Sequence, residues 1–160
     1  MKRRVFSALA GLLMLAGPMA AAQAAMEVSE GWSRQTVPGV DVGVGYFTLK
    51  NTGTHRRELL KITSPLASDV ELHQSSIDAQ GVAHMWPVGK LELAPGEVVR
   101  FMPNGRHLML LGLKGPLRVG AQVPVTLVFE DETPVTVLLE VRPLVEKGGT
   151  QMDHMEHMHH

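Results

Sequence analysis

Hydrophobic and polar positions alternate with a period of two along most of this chain. VGYFTLKN (44–51), ELLKITS (58–64), DVELHQS (69–75) and VAHMWPV (82–88) are short runs rich in strand-forming residues. EVVRFM (97–102), HLMLLGL (107–113), VPVTLVFE (123–130) and PVTVLLEV (134–141) continue the series. Between them stand NTGT, DAQG, APGE, PNGR, LKGP and EDET, all clusters of turn formers. Beyond the N-terminus no segment keeps a 3.6-residue apolar stripe over three turns. Short strands at this spacing predict an all-β fold, an antiparallel β-sandwich over about residues 26–143.

Both ends of the chain break the pattern. MKRR is a short basic stretch, and VFSALAGLLMLAG is an apolar run too short and too rich in Ala and Gly to span a bilayer well. PMAAAQA closes with the small-residue pattern Ala22-Gln23-Ala24, so residues 1–24 read as a signal peptide cleaved before Ala25. RRVF fits the core of a twin-arginine signal, which leaves that route and the general one both open. The folded domain is expected over 25–145. After it, KGGTQ leads as a flexible linker into MDHMEHMHH, giving a tail over 146–160.

Composition narrows the class. The chain has 160 residues, enough for one domain with a real core. Residues 25–160 keep twelve Lys and Arg against sixteen Asp and Glu, a net charge of −4. That balance supplies no basic footprint for nucleic acid. There is no cysteine, hence no disulfide framework, no lipidation site after the signal and no thiol nucleophile. G-x-S-x-G and H-E-x-x-H are absent as well, so no enzymatic reaction is expected. The expectation is a soluble, monomeric, periplasmic protein with no membrane insertion.

Candidate chemistry lies in the histidines and methionines. In RHLMLL, His107 and Met109 are two apart on a predicted strand and share a face, while Leu108 and Leu110 take the other. His73 and Met85 flank the short DAQG connection, and neighbouring strands of this kind pair as a hairpin that brings the two close. Taken singly, a core methionine is a gap filler and a strand histidine a surface residue. The tail changes that balance, because it places three Met and four His within nine residues. Packing and solvation do not call for such a composition. Thioether sulfur is soft and favours Cu(I), and imidazole adds affinity for both Cu(I) and Cu(II). The absence of cysteine argues against a blue-copper electron carrier, whose site is built around a thiolate.

The spacing His73, eleven residues, Met85, twenty-one residues, His107-x-Met109 resembles the motif of the periplasmic copper chaperone family PCu(A)C. The flanks GVGYFTLKNTG, SPLASDVELHQ, GVAHMWPV, FMPNGRHLMLLGLKGPL and GAQVPVTLVFE extend the resemblance over about residues 28–142. It implies a cupredoxin-like β-sandwich with Greek-key connections, and Cu(I) ligation by His73, Met85, His107 and Met109. It further implies delivery of copper to the CuA-bearing subunit of cytochrome c oxidase, alongside Sco-type proteins. The tail residues Met152, His154, Met155, His157, Met158, His159 and His160 resemble extensions that add a second site, holding Cu(II). Copper buffering in the cell envelope is the alternative function, and an interaction sandwich with incidental histidines is a third.

Some positions depart from the family pattern. Gln74 stands where many members carry a methionine after the first histidine. His84 alternates away from Met85 and reads as a surface residue, as does His55 in its loop. Trp86 either shields a Cu(I) site or covers the sheet. Met102, before the Pro-Asn-Gly turn, is expected in the core.

Overall fold

A computed structural model describes residues 25–130 and 133–144 of the chain. The expected signal peptide (1–24) and the tail (146–160) lie outside the described residues. The first five strands are β1 (Met26–Arg34), β2 (Gly43–Asn51), β3 (Arg57–Thr63), β4 (Asp69–Ile77) and β5 (Ala83–Pro87). They are followed by β6 (Leu91–Leu93), β7 (Val98–Arg100), β8 (Arg106–Leu111), β9 (Gln122–Phe129) and β10 (Val135–Arg142). Eight of these coincide with the alternating runs. β1 and β6 do not announce themselves: a bulge interrupts the alternation of MEVSEGWSR, and LEL is only three residues long.

Hydrogen-bonded neighbours run β5-β4-β8-β2-β1-β10-β9-β3-β6, with β7 beside β2. Every pairing is antiparallel except β1 with β10, which run parallel through Trp32, Ser33 and Arg34. The sandwich is thus antiparallel but for this one pair. These two strands come from distant parts of the sequence, so no tight turn forces them antiparallel.

β1 is the seam between the two layers. Its first half pairs with the end of β2, and its second half pairs with both β2 and β10. The register shifts between Ser29 and Trp32, where Glu30 takes a left-handed φ of 56°. A Cβ on Gly31 would lie 2.8 Å from the Leu138 carbonyl oxygen, so only glycine lets β1 approach β10 this closely. Through this bulge the sheet folds over on itself.

The layers enclose one core. Leu108 and Leu110 of β8, Leu49 of β2, Val125 and Leu127 of β9 and Leu139 of β10 are fully buried. Burying one such side chain contributes roughly 1.5–3 kcal/mol. Within β4 and β8, Val70, Leu72, Leu108 and Leu110 all belong to this core. The residues between them are therefore held on the outer face by packing on the inner one. Among the described residues no helix is long and apolar enough to cross a membrane.

Candidate metal site on the outer face

Strand register decides which side chains meet. His73 pairs directly with His107, and Glu71 with Met109, across β4 and β8. The expected β4–β5 hairpin forms, with Ser75 opposite Met85 and His73 opposite Pro87. Because cross-strand partners share a face, His73, Met85, His107 and Met109 all stand on the outer face.

His73 is the hub of the group. It lies beside His107, with ring centres 6.1 Å apart, and diagonal to both methionines. Those methionines stand on opposite sides of it, two strand spacings and four residues of register apart. In a flat sheet that separation is roughly 17 Å. The register thus gathers His73, His107 and Met109, while Met85 sits 55% exposed on the edge strand β5. Met85 joins a common ion only if the hairpin curls over the face.

Hydrogen bonding orients both rings. His73 Nε2 lies 2.8 Å from the Glu71 carboxylate. Its Nδ1 is buried and has no hydrogen-bond partner among the described residues. His107 is itself buried, and its Nδ1 lies 3.0 Å from the Gly105 carbonyl. The same carbonyl accepts the Ser75 N–H at 2.9 Å, so one turn oxygen ties β4 to β8 and aims His107. That turn depends on Asn104, whose φ of 62° suits asparagine. A buried polar nitrogen without a partner is uncommon in folded proteins. The outer face brings that imidazole together with His107 and the Met109 thioether, and nitrogen and thioether donors of this kind suit a soft cation.

The neighbouring surface is aromatic and cationic. Arg34, Val44, Tyr46, Ser75, Pro103 and Asn104 surround His107 in an open depression of about 390 Å³. Tyr46 packs on Trp32 with ring centres 4.4 Å apart, and Arg142 and Arg34 lie over Trp32 at 5.2 and 5.8 Å. Burial raises the Tyr46 hydroxyl pKa above its ordinary value, and the nearby Arg34 charge only partly offsets this.

Other candidates fall away from the group. His84 pairs with Ser76 on the opposite face of the hairpin, as expected. Its Nε2 lies 2.8 Å from Asp78, and this hydrogen bond is the main cause of a lowered Asp78 pKa. Trp86 pairs with Gln74 on that same opposite face, so it does not shield the histidines. His55 is exposed in its loop. Met102 corrects its expectation: it is 46% exposed. Phe101 takes the inward position and stacks on Phe47 with ring centres 4.2 Å apart, which turns Met102 outward. Met152, His154, Met155, His157, Met158, His159 and His160 lie outside the described residues. Glu71 and Gly105 were missed by the sequence reading. The legible signal for Glu71 was its place two residues before His73, on the same strand face.

Among the described residues no three His, Cys, Asp or Glu side chains gather into a metal-holding group. Residues 26–141 match the family described as LpqE-like. The chain is 30% identical over 118 residues to the Leifsonia xyli subsp. xyli protein Lxx21020, covering 73% of this chain and 69% of that one. It is 35% identical over 124 residues to the Rickettsia prowazekii protein RP573, covering 75% and 68%. Among solved structures, the Cu(I)-bound solution structure of DR1885 from Deinococcus radiodurans matches with a TM-score of 0.57 and 28% identity, over 79% of this chain and 85% of that one. The copper-bound PCuAC domain from PmoF2 matches with a TM-score of 0.62 at 24% identity, over 74% and 93%, a likeness of fold.

Proposed function

This chain belongs to the LpqE-like family, the PCu(A)C or PCuAC family, and from that premise we propose that it carries Cu(I) in the periplasm and hands it to an acceptor. The observation that supports this most is the His73–His107 pair, set on one sheet face with Met109 and holding an unspent buried nitrogen. His73, His107 and Met109 form the preassembled part of the site, and Met85 completes it from the edge hairpin. Two imidazoles and two neutral thioethers suit Cu(I) better than zinc, calcium or magnesium. With no cysteine, the carrier has no thiol to oxidise in an oxidising compartment.

Transfer follows from the same chemistry. Met85 is the most exposed of the four and sits on a strand bonded on one side only, so it is the first ligand to leave. The copper then presents an open position to an incoming ligand. An acceptor with thiolates binds Cu(I) more tightly than thioethers do, so copper moves downhill without an energy source. The CuA-bearing subunit of cytochrome c oxidase is the proposed acceptor, with Sco-type proteins as intermediaries, and this chain catalyses no reaction. Export rests on residues 1–24 acting as a signal peptide. Residues 146–160 add a second site of Cu(II) preference.

The test mixes the Cu(I)-loaded protein with a reduced, copper-free CuA domain and follows the metal by separation and by the acceptor's spectrum. Transfer to the acceptor is expected. Copper that stays on this protein, while the same acceptor loads from another donor, would assign it to envelope copper buffering instead.

A further inference from the structure

We propose that Glu71 selects the donor nitrogens of the site. It holds His73 with its proton on Nε2, which leaves Nδ1 to bind the metal, so His73 and His107 coordinate through opposite ring nitrogens. The proposal rests on the copper reading above and deepens it.

The assignment follows from what each partner can accept. A carboxylate oxygen has no proton to give, so the 2.8 Å contact between Glu71 and His73 places a proton on Nε2. A neutral imidazole carries one N–H, and the lone pair then lies on Nδ1. That is the nitrogen found buried and without a partner among the described residues. At His107 the order is reversed. The Gly105 carbonyl can only accept, so the 3.0 Å contact places the proton on Nδ1 and the lone pair on Nε2.

Register makes Glu71 suited to this role. It shares the outer face with His73 and stands directly opposite Met109, between a histidine and a thioether of the set. The four ligands are neutral, so a bound Cu(I) keeps its positive charge, and Glu71 supplies a negative one beside it. Carboxylates that accept from a metal-bound histidine fix the ring and raise its basicity. The Glu71 side chain is 45% exposed, so its truncation leaves the core untouched.

The experiment uses the full chain, labelled with ¹⁵N and free of copper. Long-range ¹H–¹⁵N correlations should show His73 protonated on Nε2 and His107 on Nδ1. Glu71→Ala should abolish the fixed His73 pattern, leave that of His107 unchanged, and weaken Cu(I) binding about 10- to 100-fold against a chromophoric chelator. Glu71→Gln keeps an oxygen acceptor and should restore the His73 pattern and most of the affinity. A wild-type His73 protonated on Nδ1 overturns the proposal. So does a Glu71→Ala protein with wild-type nitrogen pattern and affinity. Failure of the wild-type chain to bind Cu(I) overturns the copper reading instead, and the copper-free spectra still decide the role of Glu71.

Discussion

His73 and His107 are direct cross-strand partners on β4 and β8, with ring centres 6.1 Å apart and an interplanar angle of 53°. Both rings are largely shielded from water, yet one nitrogen of His73 has no hydrogen-bond partner among the described residues. Two partly desolvated imidazoles side by side are poorly explained as a packing device. They are well explained as a donor pair.

Substituting the thioethers separates binding from folding. Met85→Leu and Met109→Leu keep nearly the same volume, so each should cost less than about 1.5 kcal/mol in stability. Met85 is exposed, so its change should fall within about 0.5 kcal/mol of wild type. Both variants should nevertheless bind Cu(I) more weakly in a chelator competition. Wild-type affinity in both would remove sulfur from the site.

If Met85 completes the site, copper must draw the β4–β5 hairpin inward. Cu(I) should slow amide exchange in Ala83–Pro87 and shift the Met85 methyl resonance, with little change in β9 or β10. An unchanged hairpin in a copper-loaded protein would leave a three-ligand site of His73, His107 and Met109.

A chain ending at Val145 should keep one Cu(I) at the folded site and lose the additional Cu(II) held by the tail. Imidazole coordinates only when neutral, so tail binding should weaken as pH falls below roughly 6.5. Thioethers carry no proton and should show no such loss. Equal Cu(II) stoichiometry in the full and shortened chains would argue against a tail site.

Tyr46 is the sole tyrosine of the chain, so absorbance near the phenolate band reports it alone. Burial raises its folded pKa above the ordinary 10.0, with Arg34 opposing. The fold therefore favours the protonated phenol. This contribution to stability is full below the unfolded value and disappears as pH rises through the folded one. A titration midpoint above 10.0, returning to it on denaturation, is expected. A midpoint at or below that value would contradict the packing of Tyr46 under the Trp32 cluster.

Leu108 tests whether the core holds the site. It is fully buried on the reverse of the strand that carries His107 and Met109. Leu108→Ala should cost about 2–5 kcal/mol and lower the unfolding midpoint in urea. The cavity opens on the reverse of the strand that carries His107 and Met109, so Cu(I) affinity should fall as well.

Strands with clean alternation are legible residue by residue, because a side chain that must face apolar neighbours leaves its mark at every second position. RHLMLL is the clearest case: Leu108 and Leu110 were assigned to the core and are buried, and His107 and Met109 share the opposite face. The DAQG turn likewise determined the β4–β5 hairpin, since a short polar connection leaves two strands little choice but to pair. Other features belong to tertiary structure alone. The parallel pairing of β1 with β10 joins distant segments, and no local pattern encodes it. Met102 was misplaced because alternation names two faces without saying which is buried, and the Phe101–Phe47 stack settled that. The partnership of Glu71 with His73, and the Gly105 carbonyl shared by Ser75 and His107, depend on register and turn geometry. A shift of one residue would send each side chain to the other face. Residue types chose the metal. Only the register of β4, β5 and β8 decided which of these nitrogens and sulfurs stand as neighbours on one face.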